Sequence, residues 1–435
     1  MSRFAVVLLA ATLVGGLAAT APAQDTIPPG TTITAQNWQK YKNFMSVTFQ
    51  SMWTSNNPTT QVPPGARVEV GPTRSYNIGH WYWDATERYS KQVQLAKAAD
   101  GGYTMRGYVA GQPFPNITTS DPLAGYKLMY DTYFQYEPAV VVYNRAQVYD
   151  VDRYQNVTFL RALIIGYTLM HIVDPGYPMQ VPQANGFYLA HTAEQLEPEQ
   201  IKYLTALNFT WSDPERFPES YVFVPSLRRT LRLSSNSRCA PFQGQDFDND
   251  DETPVPLPPT WFQAKFLGLH KMLMFVFRND RASQDASTKR SSYYPPALNL
   301  VPKPEVLGPW QVRDLYALQL QRLPQWDRGY CHANRISYLD KETASTAGYD
   351  TWDQNNKFWR GMVPFPMPLK KPDGGVFMTG QVWAHDNPDF QNDHQSLLLP
   401  PAEGADAVWV NQDTPGKFVN YERYATPAGL QQVLQ

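Results

Sequence analysis

The apolar residues of this chain change their spacing near Ala139, and that change limits the fold more than any other feature. Before it they recur every three or four residues. After it they alternate with polar ones. The first spacing puts one stripe on a helix, and the second puts one dry face on a strand. Three helices are expected first. One starts at Thr34, an N-cap type, with Trp38, Tyr41, Met45, Thr48 and Met52 on one side. A second covers about residues 78–98, with Trp81, Ala85, Tyr89, Val93 and Ala96 as its stripe. A third opens with Asp121 as N-cap and Pro122 as first helical residue. It carries Leu123, Tyr126, Tyr130 and Phe134 and is closed by Pro138.

Beyond Ala139 the period is two. Ile201, Tyr203, Leu207, Phe209 and Trp211 alternate with Lys202, Asn208 and Thr210. Trp310, Val312, Tyr316, Leu318 and Leu320 repeat the pattern, broken only at Asp314. Further strands are expected at 140–149, 158–170, 187–192, 221–224, 227–233, 262–275, 335–339, 349–353, 358–362 and 376–384. Short gaps between several of them point to antiparallel hairpins. Helices first and some ten strands afterwards make an α+β chain. One large, curved antiparallel sheet could hold most of it as a single domain. Two Pro-containing stretches, 240–260 and 279–309, interrupt the pattern and are expected as long loops. The 38 prolines in 435 residues are nearly twice the usual share of about 5%, which fits stiff connections. No internal repeat of fixed period is present.

Charge excludes one class. Lys+Arg 37 against Asp+Glu 39 leaves a net charge of -2, whereas a nucleic-acid binder carries a basic excess. Residues 1–23 have the layout of an export signal: Arg3, an apolar stretch from 4 to 19, and Ala21-Pro22-Ala23 as a small-x-small cleavage site. Cleavage after Ala23 leaves residues 24–435 as the mature chain, exported and soluble. The alternative, a membrane anchor, would want a longer apolar core. The two cysteines, Cys239 and Cys331, fit an oxidising compartment and are expected to pair. Two separate buried thiols are the alternative. A bridge spanning 92 positions gives at most about 4–5 kcal/mol in the chain-entropy picture.

The search for chemistry returns little. No phosphate loop, nucleophile elbow, H-E-x-x-H or C-x-x-C occurs. The seven histidines are scattered without metal-ligand spacing, so structural or surface roles are expected for them. The acidic run Asp246, Asp248, Asp250, Asp251, Glu252 looks superficially like a calcium loop. Asp251 stands where the turn glycine belongs and Leu257 where the last glutamate belongs, so a solvated loop is expected instead. Thus no catalytic residue, metal or cofactor is assigned. What remains distinctive is aromatic and apolar. If the sheet curves more than its helices can fill, a hydrophobic cavity is left, lined by Trp81, Tyr89, Tyr126, Tyr130, Phe134, Phe209, Trp211, Tyr316 and Leu318. The plainer alternative is that these stripes are core.

A resemblance adds to this. The pieces ITAQNWQKY (33–41), GPTRS (71–75), GQPFP (111–115), VPSLRRTLRLSSNSRCAPFQGQDF (224–247) and RISYLDKETASTAGYDTWDQNNKFWR (335–360) follow one another over most of the mature chain. In that order they resemble the LolA-like outer-membrane lipoprotein-sorting family, exported bacterial proteins long filed as a domain of unknown function. The arginine-rich strand before Cys239-Ala240-Pro241-Phe242 is the most specific piece. The insertions after Asp246 and after Asn279 depart from the pattern. The resemblance implies a half-barrel like that of LolA and LolB, closed by the N-terminal helices over a hydrophobic cavity. It also implies a periplasmic shuttle, associated with the outer membrane, for a lipid or lipoprotein acyl chain. Its partners would be an inner-membrane exporter and an outer-membrane acceptor. Two other readings stay open: a hydrolase of an envelope polymer, and a non-catalytic structural or assembly protein. Arg228, Arg229 and Arg232 could serve a headgroup, a partner or only the convex face.

Overall fold

The computed structural model describes residues 26–234, 239, 241, 244–248, 250–251, 255–276, 306–366, 368–370, 375–378, 385–399 and 408–434. The export-type segment 1–23 and most of the 279–309 loop lie outside these residues.

The helical third is shorter than its stripes suggested. Trp38–Phe44 is a 3-10 helix, and α1 follows at Val47–Thr54 with Ser46, not Thr34, as its N-cap. The Ser46 hydroxyl accepts the Phe49 N–H at 3.2 Å, which is what an N-cap serine does. The stripe of the second helix holds only over α2, His80–Tyr89. The rest of 78–98 becomes the strand β3, Gln94–Lys97, which pairs antiparallel with β4, Tyr103–Arg106, across Gly101 and Gly102. Strand pairing through a glycine turn overrides the helical spacing there. α3 is Ala124–Tyr133. Asp121 is not its N-cap as expected: the helix starts two residues later than Pro122, with Leu123 in the cap position, and Asp121 instead closes a turn ahead of it by accepting the Leu123 N–H at 2.8 Å.

The sheet opens with two short strands, β1 (Thr32–Ile33) and β2 (Arg67–Val70). The long run that follows is β5 (Val140–Val151), β6 (Val157–Thr168), β7 (Phe187–Glu197), β8 (Thr205–Trp211), β9 (Glu219–Val224) and β10 (Arg229–Arg232). Then come β11 (Phe262–Phe275), β12 (Val306–Arg322), β13 (His332–Asp340), β14 (Thr346–Asp353) and β15 (Phe358–Pro364). A side hairpin is formed by β16 (Pro368–Lys370) and β17 (Val376–Met378). β18 (His385–Asp389), β19 (His394–Leu399), β20 (Val408–Val410) and the short α4 (Tyr421–Tyr424) end the chain.

Sixteen strands form one curved sheet in the order β1-β2-β12-β13-β14-β15-β18-β19-β5-β6-β7-β8-β9-β10, with β11 on β12 and β20 on β5. All its pairings are antiparallel except β2 with β12. It is not a closed barrel: β1 and β10 end the order. Tight hairpins are written in Asx turns. Asp152 accepts the N–H groups of Tyr154 and Asn156, and Asp353 those of Asn355 and Lys357, all at 2.8–2.9 Å.

Alternation then sorts residues between two faces. On β5–β8 one face packs Val140, Val142, Leu163, Ile165, Leu207 and Phe209 under Phe418, Tyr424 and Leu430 of the C-terminal segment. The other, inner face carries Val148, Ala162, Ile164, Ala193, Ala206 and Leu398. The helices do not close this inner face as expected. α1 docks on the opposite face of β14–β15, where Asp350 accepts the N–H groups of Val47 and Thr48 at 3.0 and 2.8 Å. α3 lies inside, over β11 and β12. It comes close enough that a Cβ on Gly125 would stand 2.4 Å from the Ala264 carbonyl oxygen. What fills the rest is the chain's own segment 244–251.

Candidate functional site

The segment 244–251 belongs to the stretch expected as a solvated acidic loop, and the structure reverses that expectation. Asp248 and Asp250 are 0% exposed and Asp251 2%. A buried carboxylate needs cations and donors, and β13 and β15 provide them. The Asp248 Oδ2 accepts from Arg360 Nη2 at 2.6 Å and lies 3.0 Å from His332 Nε2. Asp251 accepts from Arg335 Nη1 at 2.8 Å and from Arg360 Nη2 at 3.2 Å. Burial alone would push the Asp248 carboxyl up, but Arg360 and His332 beside it outweigh that and hold it below the usual carboxylate range. Arg335 is stacked on the Tyr349 ring, 3.9 Å from its centroid. Backbone carbonyls join in: Arg360 donates to that of Asp246 at 3.1 Å and Arg335 to that of Asp250 at 3.3 Å.

The expected disulfide is present. Cys239 and Cys331 are bonded, which ties the start of the segment to the strand bearing His332 and Arg335. At its other end Val255 (1% exposed) and Leu257 (2%) are buried beside α3 and β11. The described residues of this stretch are therefore held on both sides of 244–248 and 250–251, at Cys239 and at Val255 and Leu257.

Between this loop and the sheet lies a cavity of about 70 Å³. Val148, Ala162, Ile164 and Leu398 form one wall. His191, Asn208, Gln195 and His385 form another, and Gln245, Phe247 and Asp251 the lid. Burial pushes the imidazoles of both His191 and His385 down to about 4, so both are neutral at pH 7. Phe247 stands edge-on to the His385 ring, 5.6 Å between centroids.

At the rim, Asp246 of the loop and Asp150 of β5 face the same hydroxyl. Ser396 Oγ is 2.7 Å from Asp150 Oδ1 and 3.0 Å from Asp246 Oδ2, and it also accepts the Asp246 N–H at 2.8 Å. One hydroxyl proton cannot serve two carboxylates. Burial, then the neighbouring Asp389 and Asp150, push Asp246 up to about 8, and burial pushes Asp150 up to about 6.

Five of the nine aromatic and apolar residues expected to line a cavity come together, but as packed core, and the other four lie elsewhere. Tyr126, Tyr130, Phe134, Tyr316 and Leu318 pack in the α3 cluster. Phe209 belongs to the opposite face, and the Trp211 ring lies tilted against Phe187, 4.0 Å between centroids. Trp81 is half-buried on α2, and Tyr89 ends that helix under Arg88. None of them lines the cavity. Of the residues that do converge, Arg335 and Arg360 are the two ends of the 335–360 motif, and His332 lies just before it. Their chemistry was hidden because a buried arginine and a surface arginine look alike in sequence.

A metal does not suit the cluster. Asp248, Asp251 and His332 offer atoms within 4.8 Å of one another, but both carboxylates already hold guanidinium groups. In the second trio, Cys239, Cys331 and Asp248, the sulfurs are bonded to each other.

Fold and site together define an open, curved antiparallel sheet whose inner face is covered in part by the chain's own disulfide-anchored acidic stretch. The chain belongs to the DUF1329 family, described as proteins of unknown function, whose pattern matches residues 32–430. This agrees with the resemblance read from the motifs. Among solved structures, a DUF1329 family protein from Desulfovibrio piger ATCC 29098 shares 11% identity over 70% of this chain and 100% of its own, with a TM-score of 0.46. A domain from Vibrio parahaemolyticus, described as an outer membrane lipoprotein-sorting protein, shares 10% over 68% and 97%, at 0.45. A LolA superfamily protein from Nitrosomonas europaea shares 10% over 68% and 97%, at 0.36. No curated protein matches the chain.

Proposed function

We propose that this protein is a periplasmic carrier for a hydrophobic ligand, a lipid or a lipoprotein acyl chain, and not an enzyme. The observation that carries the reading is the seat of Phe247. A sheet face lined by Val148, Ala162, Ile164 and Leu398 is covered by one removable loop and not by a permanent element. With the loop in place the cavity has room for about two waters, whereas ligand sites run to roughly 300–1,000 Å³. Carriage therefore requires the loop to leave. Exposing an acyl chain to water costs about 0.8 kcal/mol per CH₂, and the dry wall beneath Phe247 offsets that cost. Among the described residues no helix is long and apolar enough to cross a membrane. An inner-membrane exporter and an outer-membrane acceptor are the partners this role implies.

Delipidated protein should take up a fluorescent fatty-acid probe saturably at micromolar concentrations, and Phe247→Ala should take it up more readily. Absence of saturable uptake by both would overturn the proposal. Envelope-polymer hydrolysis is the second reading, favoured by one observation: the Asp150–Asp246 pair with its raised carboxyls. Ser396 lies between those carboxylates, where a scissile bond would have to sit, so carriage is preferred. Turnover of an envelope polymer that Asp150→Asn abolishes would reverse the preference.

A further inference from the structure

The loop is held mainly by charge. When it leaves, Asp248, Asp250 and Asp251 leave with it, while Arg335 and Arg360 stay on β13 and β15. Those two side chains are 2% and 4% exposed. Buried guanidinium groups stripped of their partners are strongly unfavourable. A guest that only replaced Phe247 would leave them so.

We propose that segment 244–251 is an internal stand-in for an anionic amphiphile, with Arg335 and Arg360 as the residues that bind its headgroup. Phe247 holds the place of the apolar chain, and the carboxylates of Asp248 and Asp251 hold the place of a carboxylate or phosphate. This rests on the carrier reading and gives it a ligand class. The geometry suits exchange in three ways. Arg360 reaches both carboxylates through one nitrogen, at 2.6 and 3.2 Å, and Arg335 takes the second at 2.8 Å. Planar guanidinium groups accept carboxylate and phosphate oxygens alike. The apolar wall begins beside them, since Asp251 and Phe247 line the same cavity. The anchors at Cys239 and Val255 keep the displaced loop attached, so it can return when the ligand is handed on.

The test is competition against the fluorescent fatty-acid probe by palmitate, hexadecyl phosphate, hexadecanol and inorganic phosphate. Palmitate and hexadecyl phosphate should compete about tenfold better than hexadecanol. Inorganic phosphate should fail, because nothing then replaces Phe247. Arg360→Gln should bring palmitate down to the level of hexadecanol while hexadecanol still binds. Since that variant also takes one partner from each of two buried carboxylates, Asp248→Asn/Asp251→Asn provides the second arm. It frees both arginines and should strengthen palmitate competition severalfold. Equal competition by palmitate and hexadecanol in the native protein, or no gain in the double variant, would overturn the headgroup assignment while leaving carriage intact. Free phosphate displacing the probe as well as palmitate does would also overturn it. If no amphiphile of either kind is taken up, carriage itself fails and this assignment with it.

Discussion

Asp131 and Asp248 are both fully buried on the inner side of the same sheet, and they titrate in opposite directions. Asp131, on α3, accepts only the Phe114 N–H and the Gln112 amide, at 2.7 and 3.0 Å. Burial pushes its carboxyl well above the usual carboxylate range. Asp248 faces Arg360 and His332 and is held ionised. The difference marks two ways of covering a concave sheet. The α3 half is sealed by Leu128, Met129, Tyr130 and Phe134, each at most 2% exposed, and nothing charged has to be undone there. The loop half has a single large apolar residue, Phe247, and a set of ion pairs. Apolar packing of this kind is hard to replace piece by piece, whereas an ion pair can be exchanged for another of the same geometry. Accordingly, the α3 half is permanent structure and the loop half is the exchangeable part.

The largest effect expected belongs to the anchor between the halves. Cys239→Ser with Cys331→Ser should lower the unfolding free energy by as much as about 4–5 kcal/mol, the chain-entropy limit for a loop of this length, read from denaturant midpoints. Loss far below 1 kcal/mol would mean that the bridge does not constrain the loop half. Next is Arg360→Gln, at about 3–5 kcal/mol for leaving buried charges unpaired. Because the loop can swing out, much of this loss should appear as faster hydrogen exchange in 244–251 and not as global unfolding. Leu128→Ala, by contrast, should cost about 2–5 kcal/mol globally and leave exchange in 244–251 unchanged. If the two variants loosen the same residues, the halves are one unit.

How much of this could be read in the sequence depends on which half is considered. The alternation of β8 and β12 and the stripe of α3 are local patterns, and they marked the sheet and its permanent cover. The disulfide followed from counting cysteines in a chain whose N-terminus reads as an export signal. The loop half was not legible. Asp246, Asp248, Asp250 and Asp251 form an acidic, proline-flanked run, the composition of a solvated turn. What buries it is Arg335, some 84 residues further on, and Arg360, some 112. Charge complementarity at that range leaves no periodic trace. The aromatic stripe of α3 is core because it packs onto β11 and β12, and Phe209 is core because the C-terminal segment covers its face of the sheet.

The smallest effect sharpens the rim. Asp246 is faced by Asp150 of β5, Asp389 of β18, Ser396 and His394 of β19, and Arg360 of β15. Its carboxyl is raised to about 8 when the loop is docked and returns toward the ordinary value of about 4 when it is free. The docked loop therefore binds a proton that the free loop releases. Docking is strongest below pH 4 as far as this group is concerned and weakens as pH rises to 8. Limited proteolysis of the loop should be severalfold faster at pH 8.5 than at pH 6, and Asp246→Asn should flatten the difference. Faster cleavage at the lower pH would contradict the assignment.

The central claim is that ligand and loop compete for one seat. Hydrogen exchange with and without palmitate tests it directly. Bound palmitate should deprotect 244–251 while α3, Ala124–Tyr133, stays unchanged. Protection of 244–251 that is kept or increased with palmitate bound would contradict the account.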